Sequence, residues 1–440
     1  MTEARVAVLA ALAACAAPRA PPASRDGAVW RYEVRVEANL DLEIEAELTG
    51  AGEATPLRVE EAAMPFVDVR ARGPRPRYRV RAREAAAALA DVDVAWPAAG
   101  AVFAPPSSWL LRPEALPAEG TFRFHVTTAP GIRFATAVHR AGDLADTYEG
   151  PATALEDASF AAFGAIDVER LPGREVEVVS ARSLPASRGA VARWLDTSTA
   201  AITDVLGRAP RGTLFVAPGT DGMRGKTLGD GGGGVLFRLG PRVDDRSLVE
   251  DWVAAHELVH LSFPALAPVH GWFGEGLATY VEPVARARAG LVGVERIWQD
   301  MVVGMPEGLP APGEQGLDGA RAWGRLYWGG ALYFLLADLA IREESGGRSS
   351  LDTALRAIVS QSRGVEEHWE IERVLDVGDR ATGLRVLSDL YARLGRSTER
   401  IDLDALWIRL GVRRAGDRVH LDAAAPLAAI RRAITERTPR

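Results

Sequence analysis

The residues best suited to chemistry are the His-Glu-Leu-Val-His segment at positions 256–260 and Glu275, which follows after fourteen intervening residues. Two histidines four apart on a helix project from one face, so His256 and His260 can bind the same metal ion. Glu257 can accept a proton from an activated water, and Glu275 on the next helix can be the third ligand. Three protein donors leave one corner of a zinc tetrahedron open, which is typical of a catalytic site. The sequence therefore predicts one Zn²⁺ ion held by His256, His260 and Glu275.

The helix that carries the histidines is expected to begin near Leu248, because Ser247 and Glu250 have the spacing of a capping box. Pro264 is expected to end it. Apolar residues cover most of its surface, which predicts burial. Buried histidines need polar partners, and a metal ion supplies them. The alternative is a surface helix with two solvated histidines.

The composition is that of a soluble globular protein of several domains. The chain has 440 residues, which exceeds a single ordinary core and favours two or three domains. The net charge of −7 provides no basic surface for phosphate backbones. Nucleic acid is therefore not an expected partner.

The only cysteine is Cys15, so no intramolecular disulfide can form. It ends a short apolar run that is typical of a signal-peptide core, and Leu12-Ala-Ala-Cys15 resembles the lipobox of bacterial lipoproteins. We therefore expect a lipoprotein signal peptide at 1–15, lipidation of Cys15 and a flexible Pro/Ala tether at 16–28. The expected location is the bacterial cell envelope, on the periplasmic or extracellular face, with membrane contact only through this lipid anchor.

Residues 29–180 are predicted to form an N-terminal β-sandwich-like domain. Apolar and charged residues alternate strictly over 30–48, which indicates one long strand or a pair of strands. The same alternation recurs at 78–82, 122–126 and 175–179, with Gly and Pro clusters between. This pattern favours a sandwich.

The rest of the chain has a different character, which makes the fold class α+β and multidomain. A catalytic domain is assigned to 181–290, with a helix at 191–206 and strands at 213–217 and 235–239. From 291 to 440 the pattern is mainly helical, and this part is assigned to the catalytic domain's helices and a C-terminal helical region. The predicted helices there are 322–344, 351–361, 382–395, 402–410 and 424–436.

Two glycine-rich stretches precede the histidine helix. Gly233, Gly234 and Val235 are predicted to bind substrate, since a strand with glycines could pair closely with an extended peptide. An ordinary sheet edge is the alternative for this strand. The stretch 219–227 imitates a phosphate-binding loop, but its glycine spacing is wrong and no helix can follow it, so nucleotide binding is not expected.

These residues resemble the gluzincin metallopeptidases, in their aminopeptidase-N-like and glycyl-aminopeptidase-like branches. Besides the His-Glu-x-x-His segment, the run 275–280, Glu-Gly-Leu-Ala-Thr-Tyr, is similar to the family's third-ligand helix. The run 327–336 is similar to its "Y-x-K-G-A" segment, in which the tyrosine donates a hydrogen bond to the oxyanion. The resemblance implies a thermolysin-like zinc catalytic domain behind an N-terminal β domain, with Glu257 and Tyr327 as the catalytic residues.

The chain departs from the family pattern in three ways. The gap before Glu275 is a few residues short, and Gly329 replaces the family's lysine. No Gly-x-Met-Glu-Asn motif is present, so the glutamate that would hold a substrate amine is unidentified. Tyr280 and Tyr333 are the alternatives to Tyr327, which could instead be a core residue.

Two further side chains have predicted minor roles. Glu282 is interpreted as a group that orients a ligand histidine. His270 lies between the two ligand segments, where it could support the site or belong to a loop, and we favour the loop.

The expected function is a zinc-dependent peptidase that acts on peptides or proteins, with an aminopeptidase favoured. A zinc endopeptidase is an equally reasonable chemistry if no amine anchor exists. A membrane-anchored binding protein that retains the metallopeptidase scaffold without turnover is a further alternative, although the intact Glu257 argues against it. The last alternative is a β-domain adhesin with an incidental helix.

Overall fold

The computed structural model describes residues 29–416 and 418–436, so Cys15, the predicted signal peptide and the tether lie outside it. The first region consists of short strands with one α-helix and short 3-10 turns. The strands and the α-helix are β1 Val29–Val36, β2 Leu42–Leu48, β3 Leu57–Arg58, β4 Val67–Ala71, β5 Arg77–Val80, α1 Ala82–Leu89, β6 Trp96–Ala98, β7 Ala101–Phe103, β8 Arg112–Pro113, β9 Thr121–Thr128, β10 Arg133–Thr136, β11 Thr147–Pro151 and β12 Ala161–Gly164.

Two sheets of this region pack face to face, as the sequence predicts. One has the strand order β11-β9-β1-β2-β5-β4 and the other β10-β12-β7-β6. The alternating segment 30–48 is a pair of antiparallel strands that reverse near Leu40, whose φ is 70°. The sheets share one apolar core, in which Phe134 lies edge-on to Trp109 and Phe124 at 6.5 and 6.3 Å.

A third sheet packs on the outer face of the four-stranded sheet, where Phe103 contacts Phe215 at 6.4 Å. It has the order β13-β14-β15-β18-β16, with β17 also paired to β18. Its elements are β13 Ile166–Arg170, β14 Val176–Ala181, α2 Arg188–Leu206, β15 Gly212–Pro218, β16 Met223–Arg224, β17 Thr227–Leu228 and β18 Gly234–Leu239. The predicted boundary at residue 180 falls inside β14. Because β13 and β14 bond to this sheet, its first strand begins at residue 166.

The remaining chain is mainly helical and packs around α5. Its elements are α3 Asp245–Glu250, α4 Val253–Ser262, α5 Gly271–Arg288, α6 Val294–Gly304, α7 Gly330–Glu344, α8 Leu351–Ser360, α9 Ile371–Thr382, α10 Val386–Leu390, α11 Leu403–Leu410, β19 Val412–Ala415, β20 Arg418–Leu421 and α12 Ala428–Thr435. A π-helical segment, Arg325–Gly329, leads directly into α7.

The region after residue 290 contains three elements that lie outside the predicted helices: α6, α9 and a hairpin of β19 and β20. β19 and β20 form a two-stranded antiparallel hairpin, with Val412 opposite Leu421. Its strands are four residues each, too short for a two-residue period to stand out between helices. None of the helices in the described ranges is both long and apolar enough to cross a bilayer.

Candidate metal centre

The helix that carries the two histidines begins later than predicted. Ser247 lies inside α3, which is capped by Asp244: its carboxylate accepts hydrogen bonds from the backbone N–H of Ser247 and of the residue before it. α3 then ends. The carboxylate of Asp251 caps the next helix, α4, by accepting a hydrogen bond from the backbone N–H of Ala254 at 3.0 Å. The prediction of one helix starting near Leu248 is therefore wrong, because two capping carboxylates divide the segment into two helices.

The three predicted metal donors converge. Nε2 of His256 and Nε2 of His260 lie 3.2 and 3.4 Å from Oε2 of Glu275, and 3.2 Å from each other. Donor atoms at about 2.0–2.1 Å from a tetrahedral zinc ion are about 3.4 Å apart, so these separations fit one ion. Two imidazoles and a carboxylate are also a zinc donor set.

A close crossing of α5 and α7 gathers the site. A Cβ atom on Gly276 would lie 2.3 Å from the Cα of Gly330, so the two backbones touch where neither residue has a side chain. This approach brings Glu275, one residue before the crossing, to the same side as Tyr327, which lies three residues before it. Tyr327 is on the π-helical turn, a distortion that is frequent at functional sites.

The histidines keep Glu275 ionised. Burial acts to raise the pKa of this carboxyl, but the hydrogen bonds and charges of His256 and His260 outweigh it and hold the pKa well below its usual range. Burial lowers the pKa of His260, and the Glu275 carboxylate reverses that effect, so the net shift is upward. A carboxylate that is anionic at neutral pH is the form that binds a metal ion.

Glu257 is on α4, and its carboxylate lies where this helix faces the outer strands of the third sheet. The hydroxyl of Thr227 donates to its Oε2 at 2.6 Å. A Cβ atom on Gly225 would lie 2.3 Å from the Cγ of Glu257, so only glycine leaves room for this carboxylate. The stretch 219–227 is thus a sheet edge beside the predicted base. Sequence reasoning missed Thr227 and Gly225 because strands of two residues display no periodicity.

The strand that was predicted to pair with substrate has no free edge. Gly234 and Val235 pair with β15 on one side and β17 on the other. Gly233 donates its N–H to Glu366 at 3.2 Å, and its carbonyl accepts from Thr213. The prediction of substrate binding by the backbone of 233–235 is therefore wrong, because neighbouring strands already occupy these groups.

The outer edge of the third sheet belongs to the strip 225–227. Lys226 exchanges both backbone hydrogen bonds with Leu236 of β18. In an antiparallel pair the flanking residues then direct their N–H and C=O groups to the other side. The backbone of Gly225 and Thr227 consequently faces outward, next to Glu257.

Tyr327 is the tyrosine that the structure places beside the metal donors. Its ring lies parallel to that of His256, with centroids 6.0 Å apart and an interplanar angle of 11°. Burial, followed by the nearby Glu275 carboxylate, raises the pKa of Tyr327, so its hydroxyl remains a proton-bearing donor. The alternatives are buried elsewhere: Tyr280 donates to Asp338 at 3.0 Å and Tyr333 to the Leu387 carbonyl at 2.8 Å.

The departure at Gly329 has a steric reason. A Cβ atom there would lie 2.8 Å from Leu317 and 3.0 Å from the carbonyl oxygen of Gly308. The position faces a packed backbone, where a lysine side chain does not fit.

The two minor assignments have other partners. His270 is hydrogen-bonded through Nδ1 to Asp318 at 3.0 Å, and the same carboxylate accepts from Trp272 and Tyr391. Glu282 accepts from Arg286 at 2.6 Å rather than from a ligand histidine. His270 thus anchors the start of α5, a supporting role rather than that of a free loop residue.

Comparison with known proteins rests on structure alone, because no family model and no curated protein sequence matches this chain. Among the similar solved structures is an aminopeptidase N family protein from Idiomarina loihiensis, with a TM-score of 0.62 and 14% identity over 87% of this chain and 78% of that one. A variant of an M1 zinc metallopeptidase from Deinococcus radiodurans has a TM-score of 0.50 and 15% identity, with 85% and 95% covered. Leukotriene A4 hydrolase from Saccharomyces cerevisiae has a TM-score of 0.51 and 11% identity, with 87% and 72% covered.

These similarities confirm the predicted fold. The chain shares the fold of these solved structures, with a β region before the two helices that carry His256, His260 and Glu275 and further helices behind them.

Proposed function

We propose that this chain is a zinc-dependent metallopeptidase that hydrolyses peptide bonds. The observation that carries the proposal is the convergence of His256, His260 and Glu275. The same helix carries the carboxylate of Glu257, which has no ion-pair partner among the described residues. A purely structural zinc site would use four protein donors and would need no base. The Deinococcus radiodurans neighbour, named as a zinc metallopeptidase, supports the same chemistry.

Zinc, when bound by these three donors, would activate a water molecule and polarise the scissile carbonyl. Glu257 accepts the proton of the attacking water and delivers it to the leaving nitrogen. The hydrogen bond from Thr227 fixes the Glu257 carboxylate in the orientation for both transfers. The hydroxyl of Tyr327 donates to the oxygen that becomes negative in the transition state.

The substrate backbone is expected to pair with the strip 225–227. Its outward N–H and C=O groups can add an extended peptide as a further strand, next to Glu257. Backbone pairing recognises any sequence, so this strip orients the scissile bond without selecting side chains.

We favour an aminopeptidase within this class. The support is the Idiomarina loihiensis neighbour, an aminopeptidase N family protein, and a neighbour from Deinococcus radiodurans whose variant was bound to a Tyr-Ser-Ala substrate. An endopeptidase is the second candidate. The strip 225–227 and the adjacent Arg224 support this candidate, because their charged side chains, Lys226 and Arg224, are both cations. Neither the strip nor Arg224 offers a carboxylate that could hold a free amine.

Metal content and turnover together test the proposal. We expect about one zinc per chain by mass spectrometry, and hydrolysis of a peptide panel that is lost in Glu257→Gln while zinc is retained. A wild-type protein that binds zinc but cleaves no peptide would instead support the non-catalytic binding protein. Matched peptides with free and acetylated amino termini distinguish the two candidate activities, because only an endopeptidase cleaves both.

The cell-envelope location is proposed from the sequence around Cys15. Radiolabelled palmitate should enter the wild-type protein and not Cys15→Ala. A wild-type protein that carries no lipid and fractionates as soluble would contradict the lipoprotein assignment.

A further inference from the structure

A large cavity opens beside the metal donors, away from the strip 225–227. Its volume is about 1060 Å³, and both His256 and Tyr327 line it. Glu257 and the sheet edge do not. A peptide whose scissile bond lies at the metal can therefore place a neighbouring side chain in this cavity.

The wall of the cavity is aromatic. Trp252 and Trp323 are 50% and 58% exposed, which is unusual for tryptophan, and both line it. Trp323 stacks on Tyr327 at 4.9 Å and 22°, and Tyr327 is parallel to His256, so three flat rings form a ladder toward the metal donors. Exposed ring faces of this kind bind flat or cationic groups.

The residues that line the cavity carry more carboxylates than cations. Arg286 and Arg296 are the cations, and each pairs with a carboxylate of the same lining: Arg286 with Glu282 at 2.6 Å, Arg296 with Asp300 at 2.9 Å. Glu250 and Glu307 also line the cavity, and neither side chain has an ion-pair partner among the described residues. The cavity thus has a formal surplus of two negative charges.

We propose that this cavity binds the guanidinium of a substrate arginine next to the scissile bond. A guanidinium is flat and cationic, which matches the exposed tryptophan faces and the surplus carboxylates together. The proposal rests on the proposed peptidase function, since it names the side chain that the same site selects.

Binding to the metal-free full-length protein tests the cavity without turnover. Calorimetry measures the binding of three probes: N-acetylarginine amide, its neutral isostere N-acetylcitrulline amide, and N-acetylphenylalanine amide. We expect arginine to bind about tenfold more tightly than citrulline, and Trp323→Ala and Glu307→Gln each to weaken arginine binding roughly fivefold. Equal affinity for arginine and citrulline, or tighter binding of phenylalanine, would overturn the proposal.

Two surface substitutions serve as matched controls. Ile408→Ala removes an apolar side chain that is 70% exposed on another part of the surface, and Glu119→Gln removes an exposed carboxylate of the β region. Both should leave arginine binding unchanged. If either weakens it as much as Trp323→Ala or Glu307→Gln does, the cavity is not the binding site and the proposal fails.

A peptide library then connects the cavity to catalysis. Cleavage should favour arginine at one position adjacent to the scissile bond, and Glu307→Gln should lower the ratio of arginine to phenylalanine cleavage at that position roughly fivefold. Cleavage without any preference for arginine contradicts this inference alone. Absence of cleavage contradicts the proposed function, and the calorimetry still decides what the cavity binds.

Discussion

The two sides of the metal-donor cluster use different parts of the chain. On one side the strip 225–227 offers backbone groups and small side chains, and its glycine touches the Glu257 carboxylate. On the other side α6 and the π-helical segment contribute large aromatic and charged side chains around a cavity of about 1060 Å³. A backbone edge binds every peptide alike, whereas side chains discriminate between peptides. Under the proposed function, orientation and selection of the substrate are separated in space, and substitutions should affect one without the other.

Tyr327→Phe should have the largest effect among the substitutions that preserve both the metal donors and Glu257. Loss of one donor to the developing oxyanion is expected to lower kcat about 10²–10³-fold. Zinc content and KM should change little, because the ring still stacks on His256. Steady-state kinetics with metal analysis measures both. A normal kcat would remove Tyr327 from the mechanism and return it to a packing role.

Gly225→Ala should lower activity through the opposite side of the metal-donor cluster, where the strip 225–227 contacts Glu257. The new Cβ atom would lie 2.3 Å from the Cγ of Glu257 and must displace the carboxylate. Since a misplacement of about 1 Å can cost about 10²-fold, kcat should fall by that order with zinc retained. Gly271→Ala is the matched control, because nothing lies within 4 Å of its added Cβ atom. Similar kcat values for the two variants would show that the close contact at Gly225 is unimportant.

Thr227→Val should produce a smaller loss on the same side. It removes the hydroxyl that donates to Glu257 Oε2 at 2.6 Å while keeping the size of the side chain. We expect kcat to fall roughly tenfold, which corresponds to about 1.4 kcal/mol for one hydrogen bond to a charged group. Thr227→Ser restores the hydroxyl and should restore most of the rate. If the serine variant is as slow as the valine variant, the hydroxyl is not the relevant group.

Lys226→Ala should have the smallest effect, although Lys226 is the only lysine of the chain. Its ammonium pairs with Asp93 at 3.1 Å, and both side chains are partly exposed to solvent. Such a pair contributes about 0–1 kcal/mol, so the free energy of unfolding should fall by less than that. Its backbone bonds to Leu236 are retained, so peptide cleavage should persist. A loss of activity as large as that of Thr227→Val would show that the charge of Lys226, and not only the backbone of the strip, contributes to activity on this side.

Local patterns were sufficient for much of the fold. Strict alternation predicted β1 and β2 because a half-buried strand needs one apolar face, and helical spacing over 191–206 predicted α2 and its end. The start of α4 was missed, because Asp251 caps it from within what appeared to be a continuous helical pattern. The predicted boundary at residue 180 lies inside β14, because this strand has the same alternation whichever sheet it joins.

The sequence by itself determined the metal donors on α4, because residues four apart on a helix share a face wherever the helix lies. It also indicated Glu275 and Tyr327 through their motifs. Only the tertiary structure decided which strand edge is free, because strand order depends on long-range pairing that no local pattern encodes. The aromatic cavity was likewise invisible in the sequence, since Trp252 and Trp323 are seventy-one positions apart and meet only where α4 and the π-helical segment pack against α5.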